Sequence, residues 1–405
     1  MARVLIFSGL PQYSTALGCI RSLGEAGHDV SLLLPERHGL LTSRSNPATV
    51  SKYLRHLCTY DPKNGLEWLE KIKEVAAQDK NLLYVFPVTD SFAVMLDEAA
   101  SDLEGIEYPG KNGLPGSLVD CMDKHFQAQV AEECGLDVPQ CVAVNPASFS
   151  IDELSDILFP CFCKAAGRFH GGNKRVMLKC DTFDQLVAHL DANKNMGCNM
   201  IIEQYVDIKL ELAIPGVAYR GNVSVPCVLE ETHMASGREA GTCMAGAIVS
   251  AEKYPVAVEG VKRFMRYLNY SGPFAFDFFV SGDHVYFGEV NLRSGGHMYA
   301  ITQTGANLPA AYVAANEGDM LAIERCASAR FGSYRNDKAL WEEFNEERMS
   351  KSAYKSLCKY ADFPLIESTD DAAPWQTFLQ RKKDDARRFK LLKIKRFISK
   401  KLRRR

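Results

Sequence analysis

Residues 286–296 read YFGEVNLRSGG, which sets Glu289, Asn291 and Arg293 at every second position before paired glycines. In a strand, alternate side chains share a face, so these three polar groups project together while Val290 and Leu292 project oppositely. The preceding run FAFDFFV (274–280) alternates too, with Asp277 between Ala275 and Phe279 on one face and Phe274, Phe276 and Phe278 on the other. Ser281-Gly282-Asp283-His284 is a turn signal, so the two runs form a hairpin. A closing loop of odd length, such as Gly282–His284, sets Asp277 opposite Glu289. A two-residue Gly282-Asp283 turn sets them on opposite faces. Facing carboxylates repel unless a cation lies between them. With the amide oxygen of Asn291 the set is all hard oxygen, which suits Mg²⁺ completed by phosphate oxygens, with Mn²⁺ as an alternative. The bland alternative is two solvated acids, and Asp277 argues against it, because an unpaired carboxylate in an aromatic-rich strand is costly.

A phosphate-binding group is expected upstream. Lys164 ends the run FPCFCK and is followed by AAGRFHGGNK. A strand-terminal lysine reaches phosphate oxygens, and Gly167, Gly171 and Gly172 let backbone N–H groups approach them.

These residues need elements to position them. RVLIF (3–7), a helical pattern through Ala16, Leu17, Ile20 and Leu23, and the run from Val30 form a βαβ unit, and LLYVFPVTD (82–90) adds a strand, so a parallel sheet is expected. No G-x-G-x-x-G follows the first strand, which weakens a dinucleotide reading. Thr89-Asp90 sits where ligands bind in such sheets, although a helix cap is the commoner use of that pair. YPGKNGLPGS (108–117) reads as a linker, 123–140 as a helix stopped at Gly135, and 200–206 as an apolar strand. A β-rich stretch to about 250 and a helix over 255–269 precede the hairpin; 305–330 and 337–380 read as mainly helical.

At 405 residues the chain exceeds one ordinary core. MARVLIFSGLPQ holds too few apolar residues for a signal-peptide core, and no run is long enough to span a membrane. The thirteen cysteines contain no C-x-x-C pair and read as reduced thiols, Cys161 and Cys163 as small core residues. A cytoplasmic location is therefore expected. Residues 381–405 hold 14 of the 48 Lys/Arg and 2 of the 50 Asp/Glu, so an acidic body carries a strongly basic tail. In the tail Leu391, Ile394, Ile398 and Leu402 recur at helical spacing. A basic amphipathic helix fits an anionic membrane surface, which would place the protein at the inner membrane face; nucleic acid is not expected as a partner.

Asp123-Lys124, the P-x-x-x-K strand (Pro160–Lys164) with its glycine loop, E-Q-Y-V (203–206) with Glu211 beyond, Asp277, and E-V-N-L-R (289–293) occur in an order that resembles the ATP-grasp superfamily over roughly residues 1–310. The resemblance implies an α/β plus α+β chain: an N-terminal Rossmann-like pre-ATP-grasp domain (1–118), a small grasp subdomain with a phosphate lid (119–206) and a grasp subdomain with the metal site (207–330). A helical extension (331–380) and the basic tail (381–405) would follow. It further implies ATP and Mg²⁺ as cofactors. Lys124 and Lys164 would contact phosphates, with the loop 167–174, including Gly171 and Gly172, as a lid. Glu203, Gln204, Tyr205 and Val206 would hold adenine and Glu211 the ribose. Asp277, Glu289 and Asn291 would hold Mg²⁺, and Arg293 would act on the reacting acid.

The activity implied is an ATP-dependent carboxylate–amine ligase working through an acyl phosphate on small-molecule acids and amines, one partner an amino acid and the other an envelope-related precursor. The alternatives are an acid-phosphorylating or carboxylating member, or an inactive nucleotide-binding scaffold. Two departures matter. Lys209 stands where glycine is frequent. Ala275 stands where D-alanine ligases place an arginine, which leaves that charge to Arg293, with Arg238 as a second candidate. His297, after Gly295-Gly296, could face the acyl acceptor or solvent.

Overall fold

The computed structural model describes residues 1–36, 46–166, 177–236, 242–359 and 361–402, side chains included except at 388 and 390–402. The early apolar runs are buried on both faces, as parallel strands covered by helices must be. β1 (Arg3–Phe7), β2 (Asp29–Pro35), β3 (Leu54–Tyr60), β4 (Leu83–Pro87) and β5 (Ile106–Glu107) form a parallel sheet in the order β3-β2-β1-β4-β5. The winding changes direction beside β1, so the loops after β1 and β4 open a crevice at the carboxyl ends of the strands. Thr89 caps the helix Asp90–Glu98 there, its Oγ1 accepting from the Phe92 amide at 3.2 Å.

A small antiparallel sheet follows, built from β6 (Cys141–Val144), β7 (Cys161–Ala165), β8 (Leu178–Cys180) and β9 (Met200–Gln204) in the order β6-β9-β7-β8. Cys161, Cys163 and Cys180 are buried in its core with Leu186 and Leu190 of the helix Phe183–Ala192, as expected for the first two. The lid glycines Gly167, Gly171 and Gly172, and Arg238, lie outside the described residues.

The large sheet runs β15-β14-β10-β12-β13-β16-β17, with β11 paired to β10. Its strands are β10 (Leu210–Tyr219), β11 (Asn222–Ser224), β12 (Val228–Met234), β13 (Cys243–Val249), β14 (Gly272–Ser281), β15 (His284–Asn291), β16 (Gly332–Arg335) and β17 (Phe363–Pro364). One face is apolar throughout: Leu212, Ile214, Phe274, Phe276, Phe278 and Val290 pack on the helices Lys124–Glu133 and Pro255–Tyr267. The other face is divided. At one end of β10, Val217 and Tyr219 join a core with the helix Leu308–Asn316; at the other, the sheet carries Glu211, Asp277 and Glu289.

Two expectations about organisation change. Residues 331–380 are not wholly helical, because β16 and β17 extend the large sheet; strands of four and two residues are too short to show an alternation. The helix Lys124–Glu133, expected with the small subdomain, packs on the large sheet instead. The basic tail is the end of one continuous helix, Ala372–Leu402. Its start is fixed by Phe378 in the core and by Lys382, whose ammonium lies 4.8 Å from the Trp341 ring centroid and 5.2 Å from that of Tyr354.

Candidate active site

The hairpin β14/β15 settles the register question in an unexpected way. Ser281 pairs with His284 across a two-residue Gly282-Asp283 turn, which alone would put Asp277 and Glu289 on opposite faces. A bulge intervenes: Phe278 faces Phe287, yet Asp277 faces Glu289, so β15 carries one extra residue, Gly288. The bulge restores the common face. Gly288 is required at that point, since a Cβ there would lie 2.8 Å from the Phe279 ring and 2.9 Å from the Asp277 carbonyl oxygen.

The polar groups then form a connected line. Asn291, 8% exposed, donates through Nδ2 to Asp277 Oδ2 at 3.2 Å, and its Oδ1 accepts from Arg293 Nη2 at 3.1 Å. Arg293 Nε donates to Asp90 Oδ1 at 3.0 Å, which joins the crevice of the parallel sheet to the hairpin. Thr89-Asp90 thus divides its work: Thr89 caps the helix, and Asp90 holds Arg293.

Lys124 Nζ lies 3.1 Å from Glu289 Oε2. The helix that carries it is capped by Asp123, whose Oδ1 accepts from the His125 and Phe126 amides at 2.9 and 3.0 Å. It is pinned to the edge strand by Gln127. This buried amide donates to the Val290 carbonyl and accepts from the Val290 N–H, each at 3.1 Å, completing the ladder that an edge strand leaves open. Gln127 has no sequence signature, since only the fold brings it to Val290.

On the small sheet, Lys164 Nζ reaches Glu203 Oε2 at 2.6 Å, a same-face diagonal set by the Phe162↔Glu203 pairing. Gln204 and Tyr205 follow, their amides donating to the Gln140 and Pro160 carbonyls, and the segment through Val206 leads into β10. Glu211 is half-buried and its carboxyl is raised by that burial. Directly opposite it on β12 stands Glu231, 7% exposed, which the sequence reading did not single out. Burial first, then the charges of Asp277 and Glu211, push the Glu231 carboxyl well above the usual range. His297 Nε2 is 3.7 Å from Glu231 Oε1, and its ring packs edge-on against Tyr334. Burial depresses His297 to about 4. A carboxyl raised by burial and an imidazole lowered by burial therefore stand side by side, and His297 is not a solvated loop residue.

For a divalent cation the donor set is two facing carboxylates and an amide. No cluster of three or more His, Cys, Asp or Glu able to hold a metal occurs among the described residues. Two carboxylates and an amide are a donor set of the kind Mg²⁺ takes when phosphate and water fill the rest of its shell. Asn291 turns its nitrogen toward Asp277, so its oxygen would reach a shared ion only after the amide turns over.

Comparison with known proteins places the fold. Residues 129–307 match the family model of the ATP-grasp domain, so this part of the chain is an ATP-grasp domain. No curated protein matches it in sequence. Among solved structures, L-amino acid ligase from Bacillus licheniformis is similar at TM-score 0.58 and 15% identity, covering 82% of this chain and 79% of that one. Biotin carboxylase from Campylobacter jejuni is similar at TM-score 0.59 and 16% identity over 78% and 71%. N5-carboxyaminoimidazole synthetase from Staphylococcus aureus, complexed with ADP, is similar at TM-score 0.58 and 13% identity over 86% of each chain. No helix among the described residues is long and apolar enough to cross a membrane.

Proposed function

We propose that the protein is an ATP-dependent ligase that joins a small-molecule carboxylate to an amine through an acyl phosphate. The observation that carries this reading is the hydrogen-bonded line Asp277–Asn291–Arg293–Asp90, with Glu289 facing Asp277 and backed by Lys124. Lys124 and Lys164 bind phosphate oxygens, Glu203 to Val206 hold adenine, and Glu211 takes the ribose hydroxyls. Asp277, Glu289 and Asn291 would hold Mg²⁺, whose chemistry there is neutralisation of phosphate-oxygen charge.

A carboxylate is a poor acyl donor because attack by an amine would have to expel oxide. Arg293 orients the acid so that its oxygen bonds to the γ-phosphorus as the bond to the ADP oxygen breaks. The amine nitrogen then bonds to the carbonyl carbon and phosphate leaves. The nitrogen's proton passes to His297 Nε2, which burial keeps unprotonated and able to accept it.

The test is a screen of amino acids and other small acids with Mg-ATP, following ADP, phosphate and product mass. Amide product with ADP and phosphate is expected; AMP release, or no substrate-stimulated turnover in any pool, overturns the reading. A carboxylating member is the second reading, favoured by the likeness to biotin carboxylase. Its mark would be turnover that requires bicarbonate and no amine. The basic tail supports an anionic membrane surface at the inner face as partner and an envelope-related precursor as substrate. Full-length protein should co-sediment with vesicles containing anionic lipid, and a chain ending at 388 should not; equal sedimentation of the two rejects the membrane role.

A further inference from the structure

The crevice at the carboxyl end of β1 carries polar side chains that the proposed chemistry leaves unused. Gln12 stands just before the helix Tyr13–Glu25, and Thr15 and Cys19 lie one turn apart on that helix. The Cys19 thiol meets Ser294 and is fully buried, whereas Thr15 and Gln12 are half-buried. The line Cys19–Thr15–Gln12 therefore climbs from the core toward the opening, alongside the segment that follows Arg293. The glycines of that segment leave room there. Among the described residues beyond its chain neighbours, a Cβ at Gly296 would meet Thr15 Oγ1 alone, at 3.9 Å. One at Gly295 would meet only the Ala275 methyl, at 3.6 Å.

Gln12 is folded over the loop after β1. Its Oε1 lies 2.6 Å from where a Gly9 Cβ would stand, and the Phe92 ring lies 3.5 Å from the same point. Phe92 belongs to the first turn of the helix whose Asp90 grips Arg293. The Gln12 amide, the Thr15 hydroxyl and the Arg293 guanidinium thus border one space. Neither the amide nor the hydroxyl has a hydrogen-bond partner among the described residues. Both are neutral, and each can donate and accept. An acid with an apolar chain would cover them and leave them unpaired, and a second charge on the acid would be desolvated against neutral groups. A hydroxyl on the acid satisfies both.

We propose that Gln12 and Thr15 are specificity-determining residues that bind a hydroxyl of the acid, so that the acid taken is a small hydroxy acid. The inference rests on the proposed role of Arg293 as the group that holds the acid's carboxylate. The test titrates matched acids into the full-length protein with MgADP by calorimetry: glycolate beside acetate, lactate beside propionate, gluconate beside hexanoate, and succinate as a diacid. In at least one pair the hydroxylated acid should bind ~tenfold or more tightly than its partner, and Arg293→Ala should abolish binding of both. Gln12→Leu and Thr15→Val should each shrink that gap without changing the thermal midpoint or the affinity of the weaker acid; either variant suffices should the other not fold. Gln12→Glu should shift preference toward alanine, whose ammonium group the introduced carboxylate would meet. Equal affinity within every pair, no binding by any hydroxy acid, tightest binding by succinate, or a gap that survives both Gln12→Leu and Thr15→Val overturns the inference. Phosphate release with Mg-ATP and pooled amines is followed on the same preparations. Discrimination without turnover refutes the ligase reading alone, and turnover without discrimination refutes this inference alone.

Discussion

Asp90 and Arg293, 203 residues apart in sequence, form an ion pair of 3.0 Å across the junction between the parallel sheet and the β14/β15 hairpin. Both side chains are about four-fifths shielded from solvent, so the contact is worth more than an exposed pair and fixes the guanidinium in a plane. Arg293 is held on three sides, by Asp90, Asn291 and the Ser294 carbonyl, which leaves one Nη1 hydrogen for an acid entering the crevice.

Asp90→Asn keeps the shape of the contact and removes its charge. The expected result is a fall in kcat of up to ~100-fold, as slight misplacement of a positioning group produces, with KM for Mg-ATP unchanged. Steady-state kinetics with each substrate varied in turn checks this. A change confined to the KM for ATP would place Asp90 with the nucleotide instead.

Asp277→Asn should abolish turnover, by ~1,000-fold or more, while the protein stays folded. Removing one of two facing carboxylates relieves repulsion, so the thermal midpoint should hold or rise. Activity and differential scanning calorimetry on the same preparation decide the matter. A variant that loses both activity and fold would make Asp277 a structural residue.

The spacing of Glu289, Asn291 and Arg293 was readable because a strand alternates strictly, and the buried Phe face of 274–278 confirmed the same alternation from the other side. The register was not readable. Turn length predicts it only for an unbroken ladder, and the bulge at Gly288 is announced by nothing except a glycine inside a strand. Glu231 and Gln127 were invisible for a different reason: each acquires its role from a neighbour far along the chain, Glu211 with His297 in one case and Val290 in the other. The β16 and β17 additions were hidden by their brevity.

Gly288→Ala tests the bulge directly. The added Cβ meets backbone at 2.9 Å, which cannot give way cheaply, and overpacking of this kind costs ~1–3 kcal/mol. If β15 slips by a residue to escape, Glu289 leaves the Asp277 face. Turnover should therefore fall further than stability, an outcome that denaturant melts and assays on one sample can separate. Full activity in the variant would show that the facing pair survives without the bulge.

His297 sets a pH dependence whose sign is fixed by its depressed value. An imidazole is half-protonated near pH 6.5 when unfolded, whereas burial brings His297 down to about 4 in the folded protein. Between those values the unfolded chain binds the extra proton, so stability falls as pH drops from about 6.5 toward about 4 and changes no further below that. Above pH 6.5 both states are neutral and the effect vanishes. The loss is bounded at ~3 kcal/mol, each unit being ~1.4 kcal/mol. His297→Gln retains a polar group of similar reach without the titration, so its stability curve should be flatter than wild type across that interval and parallel to it above pH 7. Urea melts of both proteins at closely spaced pH values give the difference curve. Curves that remain parallel from pH 4 to 7 would mean that His297 titrates as a solvated imidazole and cannot be the neutral base beside Glu231.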